Sequence, residues 1–158
     1  MQLTNEQARQ IIDIGHVHAA KRAAQQEFIR TYRYGARWRR INGGHYLYFG
    51  EQSKGARGPE TEAAYNAYTG AREALQTRIA KLRAKLEDMA PVNVALKLGR
   101  IPKLPAKILR AFDNEGLLGR HLRVIGTHAL FAYEAAAGDY FQSDLLATTD
   151  LDLCWDAR

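Results

Sequence analysis

Apolar positions in the first part of the chain follow helical spacing. A weakly apolar stripe recurs every three or four residues, at Ile11, Ile14, His18, Lys21, Gln25 and Phe28. Thr4 and Gln7 have the spacing of a capping box, in which each side chain hydrogen bonds to the backbone N–H of the other residue. The pattern therefore predicts a helix that begins at Asn5 and ends near Tyr32, before Gly35.

Two β-prone runs follow this helix. Residues 37–41 and 45–49 flank Asn42-Gly43-Gly44. Asn-Gly favours a two-residue hairpin turn because both central residues must accept a positive φ. The sequence therefore predicts a β-hairpin at about residues 37–49. The polar, glycine-containing segment 50–58 is expected to be a flexible loop.

A second helix is predicted to begin at Pro59, which is favoured at the first helical position. A repeat in it alternates steps of three and four residues, at Tyr65, Tyr68, Arg72, Leu75, Ile79, Leu82, Leu86 and Met89. This heptad spacing predicts that the helix packs along one seam against the first helix and ends before Pro91. A seam between two copies of the chain is the alternative interpretation.

The rest of the chain predicts shorter elements. Its prolines and Gly99 indicate a linker over residues 91–105. The elements expected next are a helix at residues 106–114 closed by Gly116, a strand at 122–125, a helix at 127–137 and a strand at 149–155. Together the patterns predict an α+β fold, with long amino-terminal helices, an inserted β-hairpin and then a strand-helix-strand region. We expect a basic helical region over residues 1–98 and a second region over residues 99–158.

Composition excludes several classes of protein. The 158 residues are 46% hydrophobic, but no apolar run approaches the roughly 20 residues of a membrane-spanning helix. The polar amino terminus does not resemble a secretory signal. The single cysteine, Cys154, forms neither an internal disulfide nor a cysteine-cluster zinc site. We therefore expect a soluble, cytoplasmic protein with no membrane partner.

Charge is distributed unevenly. Residues 1–100 contain 17 Lys and Arg against 9 Asp and Glu, whereas residues 101–158 contain 6 against 8. The basic part includes a run in which arginines alternate with aromatic residues: Arg30, Tyr32, Arg33, Tyr34, Arg37, Trp38, Arg39 and Arg40. Arginines neutralise phosphates and aromatic rings stack on unpaired bases, so this run is a candidate nucleic-acid surface. The alternative is a hairpin with solvated arginines and aromatic rings in the core.

Two acidic residues lie in the last predicted strand. Asp150 and Asp152 fall on one face, opposite Leu151 and Leu153, because side chains alternate along a strand. Carboxylates about 6–7 Å apart repel each other unless a cation lies between them. Because Mg²⁺ prefers carboxylate and water oxygens, the pair is a candidate metal site. An edge strand with one solvated face is the alternative.

A second motif precedes these aspartates by about 24 residues. Gly126 and Thr127 lie between a predicted strand and a predicted helix. Glycine allows a close approach of backbone to ligand, and the free N–H groups of a helix start suit a phosphate. Thr127 is also a common helix cap with no ligand, so this motif alone is weak.

Together the motifs form a strand, Gly-Thr, a helix and a strand with Asp-x-Asp, an order that resembles the nucleotidyltransferase-fold superfamily, which includes DNA polymerase beta. Four longer strings are similar to one bacterial family of that superfamily: residues 37–48, 58–62, 124–138 and 147–153. The resemblance implies that Gly126 and Thr127 hold the triphosphate of an NTP. It also implies that Asp150 and Asp152 bind catalytic Mg²⁺ or Mn²⁺.

One metal-binding residue that the resemblance implies has no counterpart in this sequence. The superfamily's third metal-binding carboxylate lies on a later strand, which this chain lacks. We therefore expect the chain to be the amino-terminal portion of a longer protein and to be inactive alone. The function expected is that of a metal-dependent enzyme that moves a nucleotidyl group from an NTP to an unidentified acceptor. The alternative function is a non-catalytic nucleic-acid-binding or protein-interaction module that uses the basic helical region.

Overall fold

The structure is a computed structural model that describes residues 2–141, 146, 148 and 150–156. Its elements in chain order are α1 (Asn5–Glu27), β1 (Ala36–Ile41), β2 (Gly44–Phe49), β3 (Gln52–Ala56), α2 (Pro59–Ala95), α3 (Lys103–Asn114), β4 (Leu122–Val124), α4 (Thr127–Ala137) and β5 (Leu153–Trp155). A π-helical turn at Phe28–Tyr32 follows α1 directly. The predicted α+β fold is confirmed. Within the described part of the chain, no helix is long and apolar enough to span a bilayer.

The chain forms two compact units, whose boundaries fall within α1 and α2. Residues 18–85 form one, here named the sheet unit, and residues 1–17 with 86–158 form the other, the site unit. The sheet unit contains fourteen Lys and Arg against five Asp and Glu, and the site unit contains nine against twelve. The positive charge of the chain is therefore concentrated in the sheet unit. The division at residue 98 stays a prediction.

The start of α1 and the end of α2 are fixed by polar contacts within the site unit. The capping box is confirmed, with Thr4 N–H donating to Gln7 Oε1 at 2.8 Å and Gln7 N–H donating to Thr4 Oγ1 at 3.2 Å. The prediction that α2 ends before Pro91 is wrong, since the helix continues to Ala95. A proline inside a helix removes one backbone hydrogen bond. Two side-chain contacts hold the last turns of α2: Gln7 Nε2 donates to Leu96 O and Gln10 Nε2 to Asn93 Oδ1, both at 2.8 Å.

The predicted hairpin is confirmed and extended by one strand. β1 pairs antiparallel with β2 across a turn in which Asn42 and Gly43 have φ of 49° and 82°. The prediction of a flexible loop at residues 50–58 is wrong, because β3 pairs antiparallel with β2. The register shifts by one residue opposite Leu47 and Tyr48, as a β-bulge requires. Gly55 at the bulge has φ of 115°, a conformation that side-chain-bearing residues rarely adopt.

One face of this three-stranded sheet packs on the first half of α2. Trp38 lies 5.8 Å from Tyr65 and Phe49 stacks 4.2 Å from Tyr68, measured between ring centroids. Leu47, on the same face, is fully buried. The predicted α2 seam is borne out by burial, since every seam position is buried or half-buried while most other α2 residues are exposed. The apolar face of the sheet and the amino-terminal part of the seam thus form the core of this unit.

The carboxyl-terminal elements lie close to their predicted positions. α3 begins at Lys103, earlier than expected, because Pro105 is tolerated in a first turn. The helix ends in a Schellman motif at Gly116, with Leu117 N–H bonded to Phe112 O at 2.9 Å. β4 and β5 pair antiparallel over three residues each. The strand predicted at 149–155 is therefore shorter than expected, and Thr149 lies outside the described residues.

Candidate functional site

The site begins where β4 turns into α4. Gly126 has φ of 64° and ψ of −154°, a combination that is essentially restricted to glycine. It occupies the cap position of α4 and, as a glycine, has no side chain of its own to cap this helix start. Thr127 is the first helical residue. The first N–H groups of a helix have no intrahelical partner, so the start of α4 offers donors and a partial positive charge to an anion.

The structure brings Asp152 directly against this turn. Ile125 N–H donates to Asp152 O at 3.0 Å, which continues the β4–β5 pairing one step beyond the strands. A Cβ built on Gly126 would overlap Asp152 Oδ2 and would lie 3.2 Å from Cγ. Gly126 is therefore required for two reasons, its positive φ and the space that the Asp152 carboxylate occupies.

The other acidic residues of this segment have different surroundings. Asp150 precedes β5 and is exposed, and its N–H donates to Thr148 Oγ1 at 3.2 Å. Neither Asp150 nor Asp152 lies within β5, so the prediction that strand alternation places both on one face of the last strand is wrong. Asp156 forms an ion pair with Arg123 at 3.2 Å, and its N–H donates to His121 O.

The negative charge of Asp152 beside Gly126 limits which ligands can bind at this turn. Asp152 is exposed, and its carboxylate lies at the turn that leads into α4. A phosphate bound at the helix start would repel this carboxylate unless a cation lay between them. Carboxylate oxygens, such as those of exposed Asp152 and Asp150, and phosphate oxygens are the hard donors that Mg²⁺ prefers. No cluster of three or more acidic, histidine or cysteine side chains that could hold a metal occurs among the described residues.

Sequence reasoning missed two buried polar residues of the site unit, Glu134 and His128. Glu134 is 4% exposed, forms an ion pair with Arg100, and accepts a hydrogen bond from Phe141 N–H at 2.8 Å. His128 is 3% exposed, and neither ring nitrogen finds a hydrogen-bond partner within the described chain. The signal that could have indicated Glu134 is a lone acid within the apolar α4 segment.

These groups surround a largely apolar cavity of about 650 Å³ within the site unit. Its wall includes Ile11, Leu98, Leu109, Val124, His128 and Phe131. Burial raises the pKa of Tyr140, another wall residue, against a lowering effect from Arg100. The ring of His128, the second residue of α4, lies inside the unit at this wall.

Comparison with known proteins supports the resemblance for this part of the chain. Residues 104–158 match the model of a nucleotidyltransferase family. The match covers about a third of the chain and contains Gly126, Thr127, Asp150 and Asp152. No curated protein and no solved structure matches the chain significantly. The family match supports nucleotidyl transfer in general. The roles assigned to Gly126, Thr127, Asp150 and Asp152 stay predictions.

Proposed function

We propose that the site unit binds the triphosphate of an NTP together with Mg²⁺ or Mn²⁺, as part of a nucleotidyltransferase. The observation that carries the proposal is the packing of Asp152 against Gly126 beside the start of α4. This packing gathers anion donors and a cation-binding carboxylate around one turn. The family match over residues 104–158 supports the same reaction class.

Each residue has a defined task in this proposal. The N–H groups at the start of α4 and the Thr127 hydroxyl would bind phosphate oxygens. Asp152 and Asp150 would hold the divalent cation. The bound cation would supply Lewis-acid neutralisation of the phosphate charge. Gly126 keeps the turn open, since any side chain there would displace the Asp152 carboxylate.

A binding measurement tests the proposal without requiring the acceptor. ATP affinity is measured calorimetrically with Mg²⁺ and with EDTA, for the unaltered protein, Asp152→Asn and Asp88→Asn. Asp88 is an exposed acid of the same unit, on α2, so its variant removes the same charge elsewhere. We expect Mg²⁺ to tighten ATP binding, and Asp152→Asn to remove at least about tenfold of that gain, which is about 1.4 kcal/mol.

The control distinguishes a site from a general charge effect. Asp88→Asn should keep the full Mg²⁺ dependence. Equal Mg²⁺ dependence in all three proteins, or equal loss in both variants, would contradict the proposal. Thermal unfolding of each variant shows whether any loss of binding reflects loss of the fold.

A further inference from the structure

The outer face of the three-stranded sheet carries aromatic and basic side chains that the nucleotide site does not use. In the β1–β2 register Arg37 pairs with Tyr48 and Arg39 with Tyr46, so these four side chains share one face. It is opposite to the face whose Trp38 and Phe49 pack on α2. We name Arg37, Arg39, Tyr46 and Tyr48 the outer sheet face.

This arrangement differs from the surface that the sequence predicted. The run from Arg30 to Arg40 does not form one surface, because side chains alternate along β1. Trp38 lies 5.8 Å from Tyr65, on the face that packs on α2. The aromatic partners of Arg37 and Arg39 are instead the two tyrosines of β2, which the predicted run did not include.

The geometry of the outer sheet face suits stacking and phosphate binding together. The guanidinium of Arg39 lies 4.7 Å from the centroid of the Tyr48 ring. The Arg37 and Arg39 side chains are 49% and 38% exposed, and both tyrosines are half-buried. Aromatic rings flanked by arginines bind unpaired bases by stacking, whereas paired bases in a duplex do not offer their faces.

The guanidinium groups of Arg37 and Arg39 are already paired with a carboxylate of the same chain. Glu51 hydrogen bonds to Arg37 and Arg39, and its side chain is 80% exposed. Hydrogen bonding from Arg39, followed by that from Arg37, holds the pKa of Glu51 below its ordinary value. A single carboxylate therefore reaches both arginines at once, which shows that one phosphate of similar size could do so too.

We propose that the outer sheet face binds single-stranded nucleic acid, with Tyr46 and Tyr48 stacking on bases and Arg37 and Arg39 contacting phosphates in exchange for Glu51. Charge complementarity supports this partner, since the sheet unit contains fourteen basic and five acidic residues. The proposal does not depend on nucleotidyl transfer, because the face lies in the sheet unit and needs neither NTP nor metal.

The test measures binding of a ten-nucleotide single-stranded RNA over a series of salt concentrations, in EDTA and without NTP. Arg39→Gln should weaken binding about tenfold and reduce the slope of log affinity against log salt by about 0.7, the value for one lost phosphate contact. Tyr48→Leu should weaken binding on the order of tenfold with an unchanged slope, since it removes stacking.

A variant of Glu51 gives the most specific test of the proposal. Glu51→Gln frees both guanidiniums, so it should tighten binding several-fold and steepen the salt slope. Arg78→Gln, which removes one charge from an exposed position of α2, is the matched control for Arg39→Gln. It should change affinity less than twofold. Unfolding curves confirm that each variant is folded.

Several outcomes would overturn the proposal. One is an Arg39→Gln affinity equal to that of Arg78→Gln. Others are an unchanged affinity in Tyr48→Leu, weaker binding in Glu51→Gln, or equal affinity for an RNA duplex of the same length. Binding to anionic lipid vesicles with the same variant pattern would assign the face to a membrane surface instead and would also overturn it.

Discussion

The two sheets of the protein are held in place by different kinds of contact. The three-stranded sheet is anchored by large rings, with Trp38 against Tyr65 and Phe49 against Tyr68. The two-stranded sheet has only three residues in each strand. It is held by backbone pairing, and beside it the Asp152 carboxylate occupies the space that a side chain on Gly126 would need.

This difference shows where each unit tolerates change. Aromatic packing on one face leaves the opposite face of the larger sheet free to carry charge, as its exposed Arg37–Glu51 and Arg39–Glu51 pairs do. Beside the smaller sheet a substitution is tolerated less well, because a methyl group added at Gly126 would collide with the Asp152 carboxylate. The site unit also contains a largely buried ion pair, between Arg100 and Glu134.

The largest effect on stability is expected when the buried ion pair is broken. Glu134→Gln leaves Arg100 facing an uncharged partner in a site where Glu134 is almost fully buried. We expect a loss of about 3 kcal/mol in the free energy of unfolding, measured by urea titration. Glu51→Gln, which breaks the exposed pairs of the other unit, should leave the unfolding midpoint unchanged. Equal effects of the two variants would show that burial does not distinguish the pairs.

A pair of glycine variants separates backbone strain from steric contact. Gly126 and Gly138 have φ of 64° and 69°, but a Cβ on Gly138 would meet no atom of the described residues within 4 Å. We expect Gly138→Ala to cost about 1 kcal/mol because of its positive φ, and Gly126→Ala to cost about 2 kcal/mol or more because it also displaces Asp152. Urea titration measures both, and ATP affinity with Mg²⁺ should fall in Gly126→Ala alone. Equal losses in both variants would remove the steric argument.

A smaller effect is expected at the tyrosine under the larger sheet. Tyr68 Oη donates toward Thr31 O at 3.0 Å and Tyr34 O at 2.7 Å, and burial raises its pKa while Arg72 opposes the rise. The folded state therefore favours the protonated phenol. Its contribution is complete below the ordinary pKa of about 10 and is lost as the pH rises through the raised value.

Tyr68→Phe should accordingly lower stability by about 1 kcal/mol near neutral pH. It should also reduce the fall in stability between neutral and alkaline pH, which urea titrations at several pH values would measure. An equally steep alkaline fall in the variant would show that other groups cause it.

Local signals predicted much of the fold. The capping box at Thr4 and Gln7, the Asn42-Gly43 turn and the closure of α3 at Gly116 each depend on backbone conformations that few residue types satisfy. The bounds of α4 were predicted correctly for the same reason, since Gly126 and Gly138 enclose it. The proximity of Gly126 and Asp152 followed from the family resemblance rather than from local spacing.

Features that depend on tertiary contacts were missed. β3 has a polar sequence without alternation, and it is a strand because β2 offers a free edge. α2 passes Pro91 because contacts from Gln7 and Gln10 hold its last turns. The burial of Glu134 could not be predicted, because its partner Arg100 lies 34 residues away in the sequence.

The central claim is that Asp152 and the turn at Gly126 hold a metal-bound triphosphate, and paramagnetic NMR tests it most directly. Mn²⁺ and ATP are added to ¹⁵N-labelled protein, and the broadening of backbone amide signals is compared between the unaltered protein and Asp152→Asn. We expect selective broadening at Gly126, Thr127 and Asp152, and its loss in Asp152→Asn. Sharp signals at Gly126 and Asp152 while other amides broaden would contradict the claim.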